Sequence, residues 1–231
     1  MSRQASDWNH PTPEPSAEGL RERKKRLTRQ HLSDTATAMF LDRGFDAVRV
    51  ADVAAACGVS EKTVFNYFPV KEALVLDRLE ATLAALRIDL ADPALTPIEA
   101  ALRILDRELR AMTGWLSSGG DPAAGRQGIR RFGDLIRATP ALRAYQADMT
   151  DQAAAAAAAV LAARAGTSAD DPEPQIAARA LLGLWRVQAD SLRRHLDRAA
   201  TPALLHEQVT ADVRRAARLI DSGLRGYAVP A

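Results

Sequence analysis

The chain has a single cysteine, Cys57, in 231 residues, which excludes an intrachain disulfide framework and a cysteine-built zinc site. No apolar run approaches the ~18 to 20 residues that a membrane helix needs, and the amino terminus lacks the apolar core of a signal peptide. A cytoplasmic protein without membrane contact is expected. Histidine is scarce and scattered: His10, His31, His195 and His206 have no metal-ligand spacing. Gly120 and Gly125 are spaced like the glycines of a phosphate loop, but Arg126 and Gln127 stand where a lysine and a hydroxyl would hold phosphate and magnesium. No constellation for catalysis is found, so no enzyme, no metal and no cofactor are expected. Alternation of the strand type is missing, and no period of about 20 to 50 residues recurs.

What is present is a globular composition, 47% hydrophobic and 26% charged, with helical signals throughout. The formal net charge of +2 is unevenly placed. Residues 1–19 carry Arg3 against Asp7, Glu14 and Glu18; residues 20–71 carry ten basic and six acidic groups; residues 72–231 balance at twenty of each. All four lysines, Lys24, Lys25, Lys62 and Lys71, fall in the basic segment. Clustered cations of this kind suit a phosphate-facing surface.

Residues 1–19, with prolines at 11, 13 and 15 and little apolar content beyond Trp8, read as a disordered tail. A helix is predicted from Leu20 to about Asp42, starting in the basic run Leu20–Arg26. Leu32, Ala36, Met39 and Phe40 mark its buried side, and Gly44 suits its end. The basic run is placed to touch DNA phosphate or a minor groove. Val50–Cys57 then reads as a short helix, Gly58 as a turn in the left-handed region, Ser60 as a cap and Glu61–Tyr67 as a second helix. Ala54 lets the two helices cross closely, and Val53, Val59 and Val64 form the seam between them. That is a helix-turn-helix with Lys62, Thr63, Asn66 and Tyr67 left outside as donors for a DNA groove.

The run from Leu32 to Phe40, Arg43-Gly44-Phe45, Asp52-Val53-Ala54, Gly58-Val59-Ser60, Thr63 through Pro69 and Lys71-Glu72 resembles the amino-terminal domain of the TetR family of transcriptional regulators. The match covers roughly a fifth of the chain and is specific as a combined pattern. One departure stands at Arg49, where the family usually has the Ser or Thr that caps the first motif helix; an arginine there could hold a phosphate instead. The resemblance implies an all-α protein of about nine helices. Its parts would be a tail at 1–19, a DNA-binding domain at 20–69 and a helical regulatory and dimerisation domain at 70–231.

Beyond the motif, helices are predicted at about 70–90, 97–116, 125–138, 140–165, 174–198 and 202–225. Thr96-Pro97 followed by Glu99 is a capping box with proline in the first turn, and Thr139-Pro140 and Thr201-Pro202 repeat the cap and proline. Ser117–Gly125 and Gly166–Pro174 read as loops. Ala153–Ala159 reads as helix, since alanine has the best helix propensity.

These elements lead to three sets of candidate residues. Lys62, Thr63 and Asn66 are expected at base edges of a double-stranded operator, with Arg49, Ser60, Phe65, Tyr67 and Lys71 on its backbone. A homodimer interface is expected along Ile176, Ala180, Leu184, Val187 and Ser191 in one helix and Val209, Val213, Ala216, Ile220 and Leu224 in the last. The resemblance further implies a small-molecule effector pocket, for which Met112, Trp115, Phe132, Ile136, Tyr145, Met149, Trp185 and Gln188 are candidates, with Arg130 and Arg131 available to an acidic head group. Function is read as a regulator, most simply a repressor released by its effector. The alternative is an architectural or constitutive DNA-binding factor without a switch, against which the ~140 residues of additional helix argue.

Overall fold

The computed structural model describes residues 19–118 and 121–222; all of the tail but Gly19, and Leu224, lie outside them. Among the described residues there are nine α-helices and no strands. They are α1 (Leu20–Arg43), α2 (Val50–Ala56), α3 (Glu61–Tyr67), α4 (Asp77–Ala91), α5 (Pro97–Ser118), α6 (Pro122–Ala138), α7 (Pro140–Ala165), α8 (Pro172–His195) and α9 (Pro202–Ser222). The all-α architecture expected from the sequence is what the chain adopts.

Two local expectations are corrected. The stretch after Pro69 opens as a 3₁₀ turn over Lys71–Leu74, and α-helix begins at Asp77; Ala73, Leu74, Val75 and Leu76 are all buried there. Consecutive burial on every side suits a tight turn inside a core better than a helix with one apolar face. The loop expected up to Gly125 instead gives way to α6 at Pro122, because Asp121 accepts hydrogen bonds from the Ala123 and Ala124 N–H groups at 2.9 and 3.2 Å and proline occupies the first turn. Gly125 therefore belongs to a helix and to no phosphate loop.

The described residues form two compact units: residues 19–80 with 118 and 121–146, and residues 81–117 with 147–222. The core of the first gathers Leu32, Ala36 and Phe40 of α1, Phe45 and Val48 of the following loop, Val53 and Ala54 of α2, Val64 of α3, Phe68, the 3₁₀ turn and Leu142 of α7. Phe132, Leu135 and Ile136 of α6 and Tyr145 of α7 pack against it. Arg131 donates to the Leu41 carbonyl, so α6 is fastened to the end of α1. Arg131 is therefore engaged by the backbone, and the expected greeting of an acidic ligand has no support from its position.

In the second unit α8 and α9 form the most extensive helix pair. Their join is polar as well as apolar. Asp212 accepts from Ser191 Oγ at 2.7 Å, Arg194 at 3.0 Å and Arg215 at 2.6 Å, and lies 3.2 Å from His195 Nε2. The hydrogen bond from Ser191, with those from Arg215 and His195, outweighs the opposing effect of burial and lowers the Asp212 carboxyl from its ordinary 3.8 to about 2. In the same unit, Arg164 near the end of α7 donates to the carbonyls of Leu90 and Leu95, both at 2.8 Å. It thereby satisfies the Leu90 carbonyl at the end of α4 and ties down the loop that carries Leu95. The alanine run contributes Ala153, Ala154, Ala157 and Ala158 to the core, all nearly inaccessible.

Candidate nucleic-acid interface

The turn between α2 and α3 is built by backbone hydrogen bonds that require a left-handed residue. Val59 N–H reaches the Ala54 carbonyl at 3.0 Å and Gly58 N–H reaches Ala55 at 3.2 Å, a Schellman pattern around Gly58 at φ +66°. Ser60 then caps α3: its Oγ accepts the Thr63 N–H at 3.1 Å and lies 2.9 Å from the Thr63 hydroxyl. Val64 is the fully buried anchor of α3. With that residue pointing inward, the helical period turns Lys62, Phe65 and Asn66 outward. Phe65 is 46% exposed, an uncommon position for an aromatic residue without a partner surface.

Arg49 occupies the start of α2 in place of the expected hydroxyl. Guanidinium has no acceptor, so it cannot cap a helix by accepting an N–H. Asp52 makes the reciprocal half of a capping box instead: its carboxylate takes the Arg49 backbone N–H at 2.9 Å and the Arg49 guanidinium at 3.1 Å. Hydrogen bonding from the Arg49 side chain, then from its backbone, holds the Asp52 carboxyl below its usual range, and the same pairing raises Arg49. Arg49 remains on the surface beside α3, oriented by an acid.

Two of the expected contacts are placed differently from the rest. Lys71 Nζ donates to the Phe45 carbonyl at 2.6 Å and sits 4.2 Å from the Phe45 ring centroid and 5.5 Å from that of Phe40. It clamps the 3₁₀ turn to the loop after α1, so this cation has a place within the protein beside the one expected for it on DNA backbone. Tyr67 is partly buried against the core, and its carbonyl accepts from Arg29 Nη1 at 2.9 Å. Arg29 went unnoticed in the sequence. It also donates to Asp77 Oδ1 at 2.6 Å through Nε and lies 4.6 Å from the Phe68 ring centroid, joining α1 to the end of α3 and the start of α4. Its only sequence signal is position, one turn ahead of the buried pair Leu32 and Ser33.

A sequence profile of the bacterial regulatory proteins of the tetR family matches residues 32–77, the span that contains α2, α3 and the 3₁₀ turn. A second profile, of the MftR C-terminal domain, matches residues 110–216. The chain is 31% identical over 218 residues to the HTH-type transcriptional regulator TcmR of Streptomyces glaucescens, covering 87% of this chain and 92% of that protein. The chain belongs to the TetR family. It is also 30% identical over 162 residues to MftR of Mycobacterium tuberculosis, named for mycofactocin biosynthesis, with 70% of this chain and 78% of that protein covered. Among solved structures, the TetR family regulator PfmR of Thermus thermophilus aligns over 84% of this chain and 98% of its own at 20% identity, with a TM-score of 0.43. As a TetR-family member the protein is a DNA-binding transcriptional regulator and not an enzyme, and no helix among the described residues is long and apolar enough to cross a membrane.

The other two sets of candidates are divided by the fold. In α8 and α9, Leu184, Val209 and Val213 are 1%, 0% and 2% exposed within their own chain, and Ser191 is buried against Asp212. These four are corrected: they are buried within the protomer, where a second copy cannot reach them, and Ser191 bonds α8 to Asp212 of α9. Ile176 is 67% exposed, and Ala180, Val187, Ala216 and Ile220 are half-buried. Of the pocket candidates, Phe132, Ile136 and Tyr145 pack against the core of the first unit. Met112, Trp115, Met149, Trp185 and Gln188 belong to the second. There, Trp185 Nε1 donates to Glu108 at 3.2 Å, and Thr82 Oγ1 donates to the other oxygen of the same carboxylate. Sequence reasoning passed over Glu108, which carries no motif, yet it shares a face of α5 with Met112 and Trp115.

Proposed function

We propose that this TetR-family regulator is a repressor that binds a palindromic operator as a homodimer and releases it when a small organic effector binds. The observation that carries the reading is α3, a short helix pinned by Val64 whose opposite face presents Lys62, Phe65 and Asn66 to solvent. Lys62, Thr63 and Asn66 read base edges, while Ser60, Arg49, Phe65 and Tyr67 meet the backbone. One such helix reads few base pairs, so a second head about one helical turn away, ~34 to 36 Å, supplies the remaining specificity. The exposed side of α8, with Ala216 and Ile220 of α9, is the mating surface.

For the effector, the half formed by Met112, Trp115, Met149 and Trp185 supplies apolar bulk, and Gln188 and Glu108 supply polar groups that fix orientation. Switching requires that the effector bind one arrangement of the dimer more tightly than the other. Acting on DNA, the protein works in the cytoplasm. The test is footprinting on the inverted repeat upstream of its own gene, together with the same duplex with one half-site scrambled. Protection of both halves at two protomers per site supports the reading; equal binding to intact and scrambled repeats removes the palindrome from it.

A further inference from the structure

An open groove of about 650 Å³ runs between the first half of α1 and the turn that joins α2 to α3. Leu20, Leu27, Leu32, Cys57 and Val59 give it an apolar floor, and Arg23 and Lys24 line it as well. Leu20 is 86% and Leu27 49% exposed, so apolar surface is open to water beside a dense run of cations.

We propose that the acidic segment 1–18 of the same chain docks in this groove, setting Trp8 on the apolar floor and its carboxylates against Arg23 and Lys24, and so masks part of the basic face of α1. Three observations select this occupant. Glu18 joins the structure at Gly19, next to Leu20 at the mouth of the groove. Trp8 lies twelve positions before Leu20, a reach of up to ~40 Å, whereas the groove extends along α1 for about 18 Å from Leu20 to Leu32. The segment carries Asp7, Glu14 and Glu18 against Arg3, opposite in sign to Arg21, Arg23, Lys24, Lys25 and Arg26. Tethering raises the effective concentration of the segment to the order of mM, so weak docking suffices. Phosphate would compete for the same cations, which makes the segment a brake on DNA binding that has no sequence preference.

Cys57 is the chain's single cysteine, half-buried and part of the groove, so its alkylation by N-ethylmaleimide reports cover directly and without DNA. The comparison uses full-length wild type, Trp8→Ala and the triple variant Asp7→Asn, Glu14→Gln, Glu18→Gln. Docking predicts several-fold faster alkylation in both variants at any protein concentration. On random duplex DNA it also predicts a log–log salt slope steeper by up to ~0.9 for each of the two cations released. Equal alkylation rates in all three proteins overturn the proposal. Protection that grows with protein concentration assigns the groove to a second copy, and protection that appears only on adding duplex assigns it to DNA; either result also overturns it.

Discussion

At the scale of single residues, two lysines nine positions apart do different work. Lys62 stands on the exposed face of α3, whereas Lys71 is bonded to the Phe45 carbonyl and stacked on its ring. Lys62→Ala should leave the melting temperature unchanged and weaken operator binding by about 1 to 3 kcal/mol if the ammonium reads a base. Lys71→Ala should lower stability by about 1.5 to 3 kcal/mol, the range for a hydrogen bond to a charged group, with the salt slope of DNA binding unaltered. Thermal melts and salt titrations on both variants separate the two roles, and a Lys71→Ala protein that melts normally but loses DNA would reverse the assignment. Gly58 is a third case. A Cβ added there meets nothing within 4 Å, so the cost of Gly58→Ala is backbone strain alone, about 1 to 2 kcal/mol. Gly58→Asn should cost less, since asparagine tolerates the left-handed region; equal urea midpoints for both variants and wild type would remove the strain argument.

At the scale of elements, what the sequence revealed depends on how far apart the interacting residues lie. The capping box of α5 was legible because it is local: Thr96 N–H and Oγ1 both donate to Glu99 at 2.8 Å, and the Glu99 N–H returns to Thr96 at 3.2 Å. These bonds hold the Glu99 carboxyl low. The helix-turn-helix was legible for the same reason. Arg29 with Asp77 spans 48 positions and Arg131 with Leu41 spans 90, and no periodicity announces such pairs. The inward burial of Val209 and Val213 was illegible too, because a stripe at helical spacing says which residues share a face and not which neighbour covers it. Asp212, the polar centre of the α8–α9 join, leads to a pH prediction. Its folded pKa of about 2 lies below the ordinary 3.8, so its contribution to stability is present above pH 4 and is lost as pH falls toward 2. Asp212→Asn should be less stable than wild type at pH 7, and the difference should shrink as the pH is lowered through that window. Urea denaturation between pH 7 and pH 2.5 measures it, and a gap that stays constant would show that the carboxylate's charge contributes nothing.

At the scale of the whole molecule, the open question is which surface joins two copies. Burial of Leu184, Val209 and Val213 leaves one face of α8, in which Ile176, Ala180, Gly183 and Val187 follow each other at spacings of four, three and four. Gly183 is the informative member. A glycine inside a helix is about 1 kcal/mol less favourable than alanine, and a Cβ at Gly183 meets nothing within 4 Å in the single chain. Nothing within the protomer therefore requires glycine, whereas close approach of a second helix would. On that reasoning Gly183→Ala should stabilise a monomer slightly, while Gly183→Leu should keep the fold and drive the dimer apart, as should Ile176→Glu. Loss of the second head removes half of the phosphate contacts, so the salt slope for operator binding should fall to about half, at ~0.9 per contact. Sedimentation at micromolar concentration, with circular dichroism to verify the fold, decides the matter. A dimer that survives both substitutions unchanged would move the interface off α8.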